Sequence, residues 1–376
     1  MNILVIASNN YPSTSEPQKG TFVYKLIQEF AKKHQVYVFA PEKRFVTQNK
    51  QDLIYGDEAA VVFRPKFITL SNKNILGFNT YNVGQKSLVS SLKKVYQTIE
   101  KVDFVYAHFL SNALIAQEAL EEYNVPIFAA VGEYKNIDIV KAYYKEKNYY
   151  ELIHKLRGFI AVSPQVEKKL LGLNVANQEN CIMAPNGANR IRFKPVTNKN
   201  ELRKKLNLPI DKKIILFVGR FQHDKGPKRV LEALELLNIK EFKLVLLGVG
   251  SQDLESSFIH FKGKVKNEYV AEYMAAADVF VLPTLHEGSS NVIVEAMASG
   301  LPIISSDIPE IKVQCTDEFS ILVDPMSIES LAQAIDFILS NPSKKNKMSL
   351  AARSHSKLFD IENRAQNILN FIEKKL

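Results

Sequence analysis

IILFVGRFQHDKGPKRVLEAL, residues 214–234, decides the fold. The unbroken apolar run Ile214–Val218 reads as a strand buried on both faces, and from Val230 onward apolar residues recur at three and four, as in an amphipathic helix. Between them lies a short loop carrying Arg220 and Lys225, and Lys225-Gly226-Pro227 opens the helix. A buried strand running straight into a helix is the unit of a parallel sheet, because parallel neighbours need a crossover. Two cations five residues apart on such a loop can converge on one diphosphate-sized anion, helped by the free N–H groups at the helix start. Solvated loop charges are the plain alternative.

The same alternation runs through the whole chain. In the first half the strand candidates are NILVIAS, QVYVFAP, AAVVFRP, FVYAHF, PIFAAV and GFIAVS. In the second half they are KIILFVGR, FKLVLLGVG, HFKGKV, DVFVLPT and PIISSD. Helical stretches such as GTFVYKLIQEFAKKH and NVIVEAMASG separate them. The expected fold is α/β, two doubly wound, Rossmann-like parallel-sheet domains facing across a cleft, with ligand at the carboxyl ends of the strands. A chain of 376 residues is long enough for two cores. Residues 186–213, rich in Asn, Pro and Lys and poor in aromatics, mark the break. The expected domains are residues 1–190 and 191–355, followed by a C-terminal helix over about 356–376 whose docking side stays open, packing back on the first domain being one choice.

Composition excludes several classes. Two distant cysteines, Cys181 and Cys315, with no CxxC or His-rich neighbourhood, argue against a disulfide framework or a zinc site and fit a reducing cytoplasm. The start MNILVIASNN lacks a basic flank and suits a first strand rather than a signal peptide. No apolar run approaches the ~20 residues of a membrane span. Residues 1–195 carry 25 Lys and Arg against 17 Asp and Glu, whereas residues 196–376 carry 24 against 23. The first half therefore suits an anionic partner, with membrane, polyanion and nucleic acid all open, and a merely solubilising surface equally so.

Further residues can do chemistry. In LVLLGVGSQDLE the G-x-G of Gly248 and Gly250 lets a flat ring approach the backbone or simply makes a tight turn, and the strand HFKGKV brings Val265 to a turn able to bond a base. EGSSNVIVEAMASG, residues 287–300, places Glu287, Gly288, Ser289, Ser290 and Asn291 before a helix, where Ser and Asn are expected as caps. Capping leaves Glu295 unexplained, since its helix is apolar nearly all round and a buried carboxylate requires a cation or hydroxyl donors, such as vicinal hydroxyls of a sugar. His108 ends the strand FVYAHF, structural or functional, and Gly20 closes the long polar loop YPSTSEPQKG.

In order along most of the chain, Gly20, YAHF, FIAVSP, PNGAN, VGRFQHDKG, LLGVG and EGSSNVIVEAMASGLPIISSD resemble family 4 of the retaining, nucleotide-sugar-dependent glycosyltransferases of GT-B fold. The resemblance implies that Arg220 and Lys225 bind the donor diphosphate and stabilise the leaving group, with Gly219 beside them. It implies that Glu287 contacts the transferred sugar and that Gly288, Ser289, Ser290 and Asn291 seat the phosphates through backbone N–H groups. Glu295 would hold the ribose, the Gly248, Gly250 and Val265 loops would frame the base, His108 would touch the sugar, and Gly20 would let its loop near the phosphates. Catalysis would rest on His108, Arg220, Lys225 and Glu287, with front-face attack and no metal. Departures from the family pattern are Lys19-Gly20 in place of a Gly pair, Glu133 after Gly132, Asn189 in place of Asp, and Ile308-Pro309 in place of glycines.

The resemblance makes the first domain acceptor-binding. The expected activity is hexose or N-acetylhexosamine transfer, from a UDP-sugar or alternatively GDP-mannose, to a glycan or lipid-linked acceptor in cell-surface polysaccharide or glycolipid synthesis. The expected place is the cytoplasm, peripheral on the inner face of the membrane. KAYYKEKNYYELIHKLRG, with Tyr143, Tyr144, Tyr149 and Tyr150 among lysines, and KSLVSSLKKVYQTIEKV suit an anionic membrane interface, or else are helices packed on the domain. An epimerase or a phosphorylase on a related fold is the enzymatic alternative, although no pyridoxal-lysine motif is found. A basic nucleic-acid-binding protein is the non-catalytic one, although no recognisable module or aromatic RNA-binding signature is present.

Overall fold

The computed structural model describes residues 1–7, 11–13, 20–43, 59–68, 74–75, 78–132, 137–138, 140–141, 146–237 and 241–376. Two compact units result: residues 1–185 with 365–376, and residues 186–364.

In the first unit the strands of the main sheet are β1 (Asn2–Ile6), β2 (Gln35–Phe39), β3 (Val61–Phe63), β4 (Phe104–His108), β5 (Ile127–Val131), β6 (Gly158–Ala161) and β7 (Cys181–Met183). All pairings are parallel, in the order β7-β6-β5-β4-β1-β2-β3. The helices are α1 (Thr21–Ala31), α2 (Thr80–Tyr96), α3 (Leu110–Leu120), α4 (Glu146–Ile153) and α5 (Pro164–Gly172). In β1, β4 and β5 almost every residue is buried, which only a sheet covered on both faces demands.

The second unit repeats the plan with β8 (Lys213–Val218), β9 (Phe242–Leu247), β10 (Ile259–Gly263), β11 (Val279–Leu282), β12 (Ile303–Ser306) and β13 (Ser320–Val323), parallel in the order β10-β9-β8-β11-β12-β13. Its helices are α6 (Lys199–Lys205), α7 (Pro227–Leu237), α8 (Asn267–Ala276), α9 (Asn291–Ala298), α10 (Pro309–Lys312), α11 (Ile328–Ser340) and α12 (Pro342–His355). The helix α13 (Ile361–Glu373) carries the chain back to the first unit, where Phe371 lies edge-on to Phe128 and Arg157 Nε donates to the Lys375 carbonyl at 2.6 Å. The order reverses at β1/β4 and at β8/β11, and those switch points direct ligands to the carboxyl ends of the central strands.

Within the two main sheets, β7 and β13 were not among the strands expected. Both are sheet edges with mixed burial, so neither presents an apolar run. Among the described residues no helix is long and apolar enough to cross a membrane. Within the tyrosine-rich stretch one described ring faces the domain rather than solvent. Tyr149 is fully buried in the core of the first unit, because α4 turns that face inward, and Tyr150 stacks under the Lys141 ammonium at 5.2 Å. Tyr143 and Tyr144 lie outside the described residues, as do Lys19 and Glu133.

Candidate functional site

The site of the second unit is built where β8 and β11 end. After Val218 the chain runs through Gly219 and Arg220 to Gly226, whose φ of 76° only glycine adopts freely. A Cβ there would lie 2.6 Å from the Pro283 carbonyl oxygen and 2.5 Å from Arg229 Nη2. Arg229, on the first turn of α7, is the reason for that crowding: it is buried, and it donates to the carbonyls of His223 at 2.9 Å and Pro283 at 2.6 Å. Burial pulls its guanidinium below the ordinary arginine value, against the pull of Glu232 and Asp224. Sequence reasoning missed Arg229; the available signal was a cation next to the buried face of a helix opened by Gly-Pro.

The two cations of this loop differ. Arg220 is 64% exposed, with Nη2 3.5 Å from the Asp224 carboxylate, a pair that contributes little in water. Lys225 is largely buried, and its ammonium donates to Glu287 Oε1 at 2.7 Å, to the His286 carbonyl at 3.1 Å and to Thr284 Oγ1 at 3.4 Å. The expected cation and the expected carboxylate thus form one ion pair. Further bonds lace the loops together. Leu285 N–H donates to the Asp224 carbonyl at 2.7 Å, Thr284 Oγ1 to the same oxygen at 3.3 Å, and Ser306 Oγ to the Thr284 carbonyl at 2.6 Å.

Gly288, Ser289 and Ser290 lead into α9 at Asn291. The expected side-chain cap is absent: Ser290 occupies the cap position, but its hydroxyl bonds no helix N–H. The Ser290 N–H is taken by Gln314 Oε1 at 2.9 Å. Among the described residues the first-turn N–H groups of Asn291 and Val292 make no hydrogen bond, as helix geometry requires. Glu295 is 8% exposed, in a helix buried from Ile293 to Ala298.

Gly248 and Gly250 need their lack of side chain for a reason the sequence did not suggest. A Cβ on Gly248 would lie 1.9 Å from the Gly219 carbonyl oxygen, and one on Gly250 would lie 2.2 Å from that of Phe221. The room is filled by the continuation of β8, with Phe221 N–H donating to the Val249 carbonyl at 2.9 Å. Val249 between them is exposed, and Val265, after β10, packs partly on the core.

In the first unit, Gly20 opens α1 in the left-handed conformation, φ 60°, and its carbonyl accepts from Val23 and Tyr24. His108 is buried at the end of β4, against the rings of Phe109 at 4.5 Å, Phe22 at 5.1 Å and Tyr106 at 6.4 Å. Phe109 follows it with φ 79°, costly for a bulky residue and sited where strain tends to be functional, between strand and α3. Asn112 donates its amide to the His108 carbonyl. Among the described residues no three His, Cys, Asp or Glu side chains cluster as a metal site.

Residues 198–355 match the family model described as Glycosyl transferases group 1. The chain is 27% identical over 361 residues, 89% of its length and 88% of the relative's, to the Bacillus subtilis protein named for teichuronic acid biosynthesis glycosyltransferase TuaC. It is 25% identical to the D-inositol 3-phosphate glycosyltransferase of Xylanimonas cellulosilytica over 297 residues, 71% of each chain. Sucrose-phosphate synthase from Thermosynechococcus elongatus superposes with a TM-score of 0.78 at 23% identity, covering 100% of this chain and 98% of that one. Anabaena HepE in complex with UDP superposes at 0.76 and 16% identity, covering 100% of both. The matched model and the named relatives support an enzyme, a glycosyltransferase, and the two parallel-sheet units are those of the GT-B fold.

Proposed function

We propose that the protein transfers a hexose or N-acetylhexosamine, with retention, from a nucleotide-diphosphate sugar to a glycan or lipid-linked acceptor. The observation that carries this reading is the junction of Lys225, Glu287 and the start of α9, within one pair of laced loops. A cation and unbonded helix N–H groups suit a diphosphate, and a carboxylate suits sugar hydroxyls. In this reading Arg220 swings from its weak pair with Asp224 to the phosphates, Glu295 takes the ribose hydroxyls, and Val249 and Val265 flank the base. A UDP-sugar is favoured, which the HepE complex with UDP supports, with GDP-mannose as the alternative.

The bond from the sugar's anomeric carbon to the phosphate oxygen breaks while the acceptor oxygen bonds to that carbon on the same face. The acceptor's proton passes to the departing phosphate. Negative charge grows on the leaving diphosphate; Lys225 and the α9 dipole stand ready to meet it and Arg220 joins them on binding, so the proposal needs no metal. His108 is the substrate-contacting residue proposed for the first unit. Synthesis of cell-surface polysaccharide is favoured by the teichuronic acid relative. Cytoplasmic residence, peripheral on the membrane through the basic first half, belongs to the same proposal; absence of sedimentation with anionic vesicles at low salt would remove that part.

Calorimetry with UDP and GDP tests the donor reading. One of them should bind the wild type, and Glu295→Ala should lose most of that affinity. Unchanged binding by Glu295→Ala would end the ribose assignment, and the anomeric configuration of the product by NMR decides retention.

A further inference from the structure

Two amide side chains grip the turn that precedes α9. Gln314 is 1% exposed and uses both ends of its amide. Its Oε1 accepts the Ser290 N–H at 2.9 Å, and its Nε2 donates to Ser289 Oγ at 3.2 Å and to the Ser290 carbonyl at 3.3 Å. Asn186 completes the grip, its N–H donating to Ser289 Oγ at 3.0 Å and its Nδ2 to the Ser289 carbonyl at 3.1 Å. Helix capping alone does not call for this, since Ser290 makes no cap bond and its buried Oγ has no partner.

Asn186 also has a special place in the chain. It is the first residue after the passage from the first unit to the second, and the return passage falls between Arg364 and Ala365. The two crossing segments are strapped together. Ala188 N–H donates to the Phe359 carbonyl at 2.9 Å and Ile361 N–H to the Ala188 carbonyl at 3.1 Å. Gly187 between them leaves little room for a Cβ, which would lie 3.0 Å from Ile361 N and from the Phe359 carbonyl oxygen. Through Asn186 the strap is therefore bonded directly to the turn.

We propose that Asn186 and Gln314 are positioning residues for the donor diphosphate, and that filling the turn tightens the crossover strap. The inference rests on the donor reading given above. Preorganised N–H donors work only when held to about 0.5 Å, and a buried amide bonded at both ends holds them so. A ligand that binds the gripped turn better than the loosened one shifts the population towards the gripped state, strap included.

Calorimetry with UDP and GDP on the full chain, with amide hydrogen exchange, tests this. Asn186→Ala and Gln314→Met should weaken binding of whichever nucleotide the wild type takes by roughly tenfold or more, about one lost buried hydrogen bond. In turnover, donor KM should rise while acceptor KM stays. The nucleotide should slow exchange across residues 186–188 and 359–361 in the wild type and not in Asn186→Ala. If those variants fail to fold, Asn186→Asp and Gln314→Glu, which keep shape and lose donors, carry the comparison. A wild type that binds neither nucleotide overturns the donor reading itself. A wild type that binds, with folded variants that bind equally well or show the same protection, overturns this inference alone.

Discussion

Lys225 and Glu287 each have a proposed role towards the donor, yet in the structure they face each other at 2.7 Å and are both largely buried. Removing one partner of such a pair strands the other charge, so single substitutions report more than lost contacts with a ligand. Lys225→Ala should lower kcat by on the order of a hundredfold, as for loss of one donor to a developing charge. Glu287→Ala frees the Lys225 ammonium from its carboxylate. The double variant should therefore fall short of the summed effects of the two single ones in steady-state kinetics. Strict additivity would mean that the pair plays no joint part in transfer. The sequence carried both residues but not their partnership, because 62 positions separate them and only the parallel order of β8 and β11 brings their loops together.

At the scale of elements, the central strands were legible because they are buried on both faces and read as apolar runs, whereas the edge strands β7 and β13 were not. The loops were legible in residue type and opaque in cause. Gly248 and Gly250 read as room for a ring or as a tight turn; in the structure a Cβ on either would strike the backbone of residues 219–221. Asn186 was visible only as part of PNGAN, with no role attached, and Gln314 gave no sign at all, since an amide's value depends on what lies opposite its ends. Gly248→Ala must push the Gly219 carbonyl away from a Cβ at 1.9 Å and so part the carboxyl ends of β8 and β9. A loss of about 3 kcal/mol is expected in urea unfolding, the size that backbone strain in a packed site produces. By contrast, Gly172→Ala, where nothing lies within 4 Å and the backbone is helical, should leave the unfolding midpoint unchanged or slightly raised.

At the scale of the molecule, the two units share a device that no residue-by-residue repeat announces. Asp103 stands just before β4 and Asp278 just before β11. Each donates its own N–H to the neighbouring strand, Asp103 to the Asn2 carbonyl at 2.9 Å and Asp278 to the Ile214 carbonyl at 2.8 Å. Each carboxylate accepts the returning N–H, from Asn2 at 2.7 Å and Ile214 at 2.8 Å. The switch-point strand pair of both sheets is thus clamped at its amino end, opposite the end that carries the chemistry. The Asn2 N–H, with Lys101, holds the Asp103 carboxyl below the ordinary range, despite partial burial. Burial alone would raise Asp278. Lys199, Lys345, Arg203 and the Ile214 N–H outweigh it and bring the carboxyl down to about 2. Both folded values lie below the unfolded one, so the stabilisation is whole above about pH 4 and drains as pH falls towards 2. For Asp278 the shift corresponds to about 2 kcal/mol. Asp278→Asn should cost about 3 kcal/mol near neutral pH, because three cations around it lose their counter-charge, and should flatten the acid limb. Urea unfolding followed by circular dichroism at pH 6 and pH 3 measures both. The wild type should lose about 1 kcal/mol more than the variant between those pH values, roughly half of the whole because pH 3 still lies above the folded value, and equal losses would mean that Asp278 is not what acid unlocks.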